Sequence, residues 1–236
     1  MKIFQNYTNY DIIILYMKWD DVIMNKTVIY LIRHCEQFKL DSIKNINEDD
    51  QINNEKIILT ISGEKTAEKL SKTNEMKNIE VLFSSNYVRA ISTAKYIAYE
   101  NNISLNIDSN FNERKLGDIK ILNELGQTKK NSYTTEQLLD GDLKVLNGES
   151  RNETYNRFKK SFDELLINNL GKRIAIVTHG AAIKFMLMKW CEFDLINKET
   201  KYKGKVLIND KLKTPEIFKL TFNNYDLIDI EKLNLV

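Results

Sequence analysis

Thr27-Val28-Ile29-Tyr30-Leu31-Ile32-Arg33 is the stretch that decides how the rest of this chain is read. It is short, rich in β-branched residues and apolar at consecutive positions. That pattern predicts a strand buried on both faces. Such strands belong to parallel sheets covered by helices, and the sequence downstream supplies both. Ile79 to Ser84, Ile103 to Ile107 and Arg173 to Thr178 read as further strands of the same kind. Thr60 offers an N-cap for a helix running to about Ser71. Ser84 and Ser85 are expected to cap a helix from about Asn86 to Glu100, carrying Ala90, Ala94, Ile97 and Ala98. Ser150-Arg151-Asn152-Glu153 is a capping box. The helix behind it, to about Asn169, carries Tyr155, Phe158, Phe162, Leu165 and Leu166 at helical spacing, and Gly171 ends it. Ala181 to Trp190 is a last helix, and Lys205 to Leu233 reads as two or three short strands. The expectation is an α/β fold: a three-layer α/β/α sandwich with a mostly parallel central sheet and an antiparallel edge strand.

Other stretches are less patterned. Lys39 to Lys56 is polar and reads as a surface loop or lid, and 108–148 is irregular apart from a short helix near Thr135 to Leu139. The first 23 residues look unlike the rest. Met24 makes a cleaner opening, so residues 1–23 are read as an N-terminal extension, or else as an extra edge strand at 11–17, with 24–236 as a single domain.

Composition excludes several classes. The chain has 236 residues, 42% hydrophobic and 29% charged, which is not the balance of a disordered chain. Lys and Arg total 35 against 33 Asp and Glu, so no global basic field attracts nucleic acid or an anionic membrane. The apolar run Ile12 to Met17 is far shorter than the roughly 20 residues of a membrane span. Cys35 and Cys191 are too few for a disulfide scaffold and suit a reducing cytoplasm. A zinc site built from His34, Cys35, His179 and Cys191 lacks ligand spacing.

Only two histidines are present, and both follow predicted strands: Arg33-His34 ends the first and His179-Gly180 ends the fourth. Ser84-Ser85 with Arg89 follows the second strand, and Glu113 lies in the loop after the third. Ligands in open α/β sheets bind outside the carboxyl ends of the strands, so these residues are expected to converge. Two arginines at one pocket suit a dianionic phosphoryl group, and helix starts at Asn86 and Gly180 would add backbone donors. A neutral imidazole can attack phosphorus, and a second, protonated one can stabilise the transferring oxygens. A carboxylic acid such as Glu113 can protonate the departing alkoxide and then activate water. With no Walker lysine loop and no acidic cluster, the chemistry is expected to need neither metal nor cofactor.

Leu31-Ile32-Arg33-His34-Cys35-Glu36 resembles the signature of the histidine phosphatase superfamily, the phosphoglycerate mutase-like fold. Leu59-Thr60-Ile61-Ser62-Gly63, Ser84 to Ala94, Asn112 to Gly117, Gly148-Glu149-Ser150 with Arg157, and Val177-Thr178-His179-Gly180 resemble further family motifs, in family order. The resemblance implies that His34 is the nucleophile that becomes phosphohistidine and that Glu113 is the proton donor. It implies that Arg33, Arg89 and His179 hold the phosphoryl group and that the Gly180 backbone adds a donor.

The departures are Cys35 in place of a small residue, Leu40 where many members have an asparagine, and Ala181 where mutases have one. Ala181, with the absent Phe-Thr-Gly-Trp stretch and Arg-Arg pair, favours a phosphatase acting on a small phosphorylated metabolite, whereas Cys35 and Leu40 hint only at lost turnover. Phosphoglycerate mutase is the alternative among enzymes, and a catalytically silent phosphate-ester binding protein is the alternative outside them. Nothing in the sequence fixes an oligomeric state.

Overall fold

The computed structural model describes residues 26–39, 51–118, 136–194 and 196–236. The N-terminal stretch 1–23 and Leu40 lie outside the described residues.

The opening run forms strand β1, Lys26–Arg33. Its chain continues into α1 (Gln51–Lys56), α2 (Ile61–Ser71), β2 (Val81–Ser84), α3 (Val88–Asn101) and β3 (Leu105–Ile107). After a helical turn at 136–139 come α4 (Arg151–Asn168), β4 (Arg173–Thr178) and α5 (Gly180–Leu187). The tail holds β5 (Glu192–Asp194), β6 (Glu199–Tyr202), β7 (Lys205–Asn209), β8 (Ile217–Asn223) and β9 (Asp226–Leu233). The main sheet has the order β3-β2-β4-β1-β8-β9, and a side sheet has the order β5-β6-β7. The strands β1, β2, β3 and β4 pair in parallel, while β8 and β9 add the antiparallel edge.

Alternation along β1 accounts for the layers. Ile29 and Leu31 face Ile174 and Ile176 together with Phe158 and Phe162 of α4 and Ile183 and Met186 of α5. Val28, Tyr30 and Ile32 join Leu82, Ala175, Val177 and the α3 residues Ala90, Ala94 and Ile97 in a second buried cluster. A strand apolar at every position therefore supplies two cores, as the opening run requires. The chain leaves β1 for the α2–α3 side and leaves the neighbouring β4 for the α5 side. Adjacent strands whose connections part to opposite faces open a crevice at their carboxyl ends.

The caps follow the sequence with one correction. Thr60 accepts from the Gly63 N–H at 2.9 Å and donates to Glu36 at 2.7 Å. Gly63 is required there, because a Cβ would sit 2.2 Å from the Glu36 carbonyl oxygen. At α4, Ser150 and Glu153 close the capping box in both directions. Ser84 and Ser85 do not cap α3. Its N-cap is Tyr87, without a side-chain bond. The Ser84 hydroxyl turns to its neighbour's carbonyl, and that of Ser85 accepts from the Tyr87 N–H and meets His179. The expected loop over 39–56 also contains α1, and the tail holds the additional strands β5 and β6.

Candidate active site

Backbone register brings both histidines to one level. Arg33 is the Cα partner of Thr178, and the His34 N–H donates to the Thr178 carbonyl at 3.0 Å. Ser85 N–H donates to the Val177 carbonyl one strand over. The two imidazole centroids lie 5.2 Å apart.

His34 is buried, with Nδ1 2.7 Å from the Cys35 carbonyl oxygen. A carbonyl only accepts, so the Nδ1 proton is fixed and Nε2 carries the lone pair. Nε2 accepts from Arg89 Nε at 3.1 Å. Burial, with Arg89 and Arg33 adding to it, holds the His34 pKa well below the usual histidine range. The ring is therefore neutral at physiological pH. Cys35 itself is fully buried among Leu59, Ala67 and Tyr96, and burial pushes its thiol up to about 12.

His179 is oriented from the other side. Its Nε2 lies 2.7 Å from Ser85 Oγ, while its buried Nδ1 has no hydrogen-bond partner among the described residues. Burial, then Arg89, His34 and Arg33, hold its pKa well down. The Tyr87 ring stands edge-on to it at 4.7 Å, and the Arg89 guanidinium lies 4.9 Å from the same Tyr87 ring.

The guanidiniums are positioned by main-chain acceptors. Arg89 is buried and donates to the Asn54 carbonyl as well as to His34. Arg33 donates to the carbonyl of Leu212, while its buried Nε has no hydrogen-bond partner among the described residues. Burial lowers the Arg33 pKa, and the Glu113 and Glu216 carboxylates oppose that shift. Gly180 packs against this guanidinium, where a Cβ would stand 3.5 Å from Arg33 Cζ. The next two amides, of Ala181 and Ala182, point at the Glu113 carboxylate at 3.3 and 3.1 Å. The start of α5 thus holds Glu113, a favourable place for an acidic group.

Glu113 sits on a braced loop. Arg157 of α4 pairs with both oxygens of Glu149 at 2.8 and 3.0 Å and donates to the carbonyls of Asn110 and Glu113. Glu149 in turn accepts from Lys115 N–H at 2.9 Å. Gly117, at φ +75°, lets the loop lie on the turn at Gly148, with only 2.5 Å between a built Cβ and the Gly148 nitrogen. Ser150 starts α4 as its capping box predicts, while Glu149, just ahead of it, braces the Glu113 loop. The one sequence signal of the extra role of Glu149 is Arg157, eight residues on and inside α4.

Arg33, His34, Arg89 and Glu113 line one cavity of about 250 Å³. Gln37, Asn54, Ile57, Arg114, Leu116 and Ala181 complete its wall. His179 lies behind the cavity, fully buried, rather than on its lining. Arg114 is buried and donates to Gln137. Among the described residues no group of three or more His, Cys, Asp and Glu side chains could hold a metal ion. No helix among them is long and apolar enough to cross a membrane.

The chain is 29% identical over 171 residues to a Schizosaccharomyces pombe protein named as a probable phosphatase, covering 69% of this chain and 56% of that one. It is 28% identical over 126 residues to phosphoglycerate mutase-like protein 4 of Arabidopsis thaliana, covering 52% and 54%. It thus spans about half the length of the curated relatives it matches. The solved structure of a mycobacterial glucosyl-3-phosphoglycerate phosphatase superposes with a TM-score of 0.64 at 16% identity, covering 88% of this chain and 97% of that one, and shares the fold. The sequence model of branch 1 of the histidine phosphatase superfamily matches residues 29–201, which include both histidines and the Glu113 loop, and this chain belongs to that superfamily.

Proposed function

We propose that the protein is a phosphatase hydrolysing phosphate monoesters of small metabolites through a phosphohistidine on His34. The observation that carries this reading is the Nδ1–H bond to the Cys35 carbonyl, which leaves the Nε2 lone pair beside Arg89 in the cavity.

In the first step Nε2 attacks phosphorus and the ester P–O bond breaks, its electron pair leaving on the alkoxide. Glu113, in its protonated form, gives that oxygen a proton. In the second step Glu113 takes a proton from water, the water oxygen bonds to phosphorus, and the P–N pair returns to Nε2. Arg33 and Arg89 neutralise the equatorial oxygens. Fixed donors of this kind are typically worth about 10²–10³ in rate each. His179 stands behind the cavity with its buried Nδ1 unpartnered among the described residues, and an arriving dianion opposes the burial and positive charge that keep its ring neutral. Two guanidiniums beside the histidines oppose a bound cation, which supports a metal-independent route. Both cysteines are free thiols, which supports a reducing, cytoplasmic setting.

Phosphate release from p-nitrophenyl phosphate and a panel of phosphorylated metabolites, with EDTA present, tests the reading. The expected result is activity that survives EDTA, is lost in His34→Ala, and leaves an acid-labile phosphoryl group on the wild type during turnover. Activity persisting in His34→Ala overturns it.

One observation favours a second reading, that of a mutase. Arg114 puts a third guanidinium on the cavity wall, where a second anionic group of a substrate would find it. Conversion of 3-phosphoglycerate to 2-phosphoglycerate without free phosphate would select that reading.

A further inference from the structure

Helix α1 meets the pocket at two points. The Asn54 carbonyl accepts from Arg89, and the Gln51 amide donates to the Tyr87 hydroxyl at 2.7 Å. Asn54 and, just beyond the helix, Ile57 then face the cavity. Tyr87 is fully buried between groups that matter to the chemistry, with His179 4.7 Å from its ring on one side and the Arg89 guanidinium 4.9 Å away on another. Its own N–H donates at 3.1 Å to Ser85 Oγ, the same hydroxyl that meets His179 Nε2. A buried phenol needs a polar partner, and here α1 brings one. Burial pushes the Tyr87 pKa up to about 12, so the hydroxyl keeps its proton over any ordinary assay range.

We propose that Tyr87 is a positioning residue: through Gln51 it seats α1 as the leaving-group wall of the pocket, and through its ring it sets Arg89 against His179. The inference rests on the phosphoryl-transfer reading above for its kinetic consequence, but the latch itself is a matter of structure. The hydroxyl and the ring have separable duties. Loss of the hydroxyl releases α1 and weakens the grip on the alcohol part of the ester. Loss of the ring disturbs the grip on the phosphoryl part.

The test uses Tyr87→Phe, Gln51→Ala, the double variant and Tyr87→Leu in the full chain. Three quantities are read: KM for p-nitrophenyl phosphate, Ki for inorganic phosphate, and amide exchange over 51–57. Tyr87→Phe and Gln51→Ala are each expected to raise KM by about threefold to tenfold, the range of one net hydrogen bond. Phosphate Ki rises by a smaller factor, because Arg89 loses the fixed Asn54 carbonyl but keeps its bond to His34, and the double variant is no worse than either single one. Both variants speed exchange over 51–57 to the same degree. Tyr87→Leu additionally raises phosphate Ki and lowers kcat, by about tenfold. Wild-type exchange in Tyr87→Phe, or effects that multiply in the double variant, overturns the latch. A wild type that releases phosphate from no ester fails the phosphatase reading instead, and the latch is then judged on exchange alone.

Discussion

The floor and the wall of this pocket are held in different ways. The floor (Arg33, His34, Ser85 and His179) stands at the ends of three parallel strands, and its level is set by main-chain register. The wall at Glu113 stands on a loop held largely through one side chain, Arg157, which pairs with Glu149 and donates to two loop carbonyls, and through the first amides of α5. Register is shared among many backbone bonds and survives the loss of any one side chain. An ion pair with its partner removed leaves a charge stranded. Binding the phosphoryl group and protonating the leaving group therefore rest on supports of unequal robustness.

The largest expected effect separates the two supports. Arg157→Met frees Glu149 and unties the Glu113 loop. It should lower kcat by about 100-fold, within the range that a placed general acid contributes. Phosphate Ki, which reports the floor, should stay within about threefold. Equal losses in both would break the distinction between floor and wall.

A smaller effect follows from the dryness of the floor. Both histidines have folded pKa values well below 6.5. Above pH 6.5 the folded and unfolded chains are neutral at these positions. Below it the unfolded chain takes up protons that the folded chain refuses, so stability falls as pH falls toward the folded values. The slope approaches about 1.4 kcal/mol per pH unit for each histidine. Urea midpoints measured from pH 7 to pH 5 should show this decline, and His34→Gln should remove about half of it.

The smallest effect concerns Cys35. A thiol raised to about 12 and buried among apolar groups has almost no thiolate. Hydrogen peroxide should leave the wild type and Cys35→Ala equally active. Protection by Cys35→Ala would mean that the floor opens to solvent, contrary to its burial.

The floor was also the legible part. The stretches reading as β1 and β4, the Thr60 cap and the Ser150 capping box all carry local signals, and the structure ends those elements within a residue or so of the expected positions. Helix α1 escaped because Gln51-Ile52-Asn53-Asn54-Glu55-Lys56 has no apolar period and buries no residue. The side sheet escaped because Glu192-Phe193-Asp194 and Glu199-Thr200-Lys201-Tyr202 are half charged and too short to show alternation. Ser84 and Ser85 read as caps because their type suits one, but residue type cannot reveal that Ser85 faces a histidine 94 positions away. Nothing local marks Tyr87 as a residue buried between His179 and Arg89. Arg89 and Glu113 could be named from their place after strand ends. What holds Glu113 depends on Arg157, 44 residues further along, and that link is tertiary.

The proton on His34 Nδ1 is held by the carbonyl of the very next residue. Every amino acid, proline included, carries that acceptor. No codon change at position 35 can delete it, so the chemical character of the side chain there is free to drift while the ring's tautomer stays put. A triad that relies on a carboxylate to orient its histidine can be disarmed by one mutation. Here the orienting group belongs to the polypeptide itself, and a cysteine can occupy the place beside the nucleophile without taking part in its work.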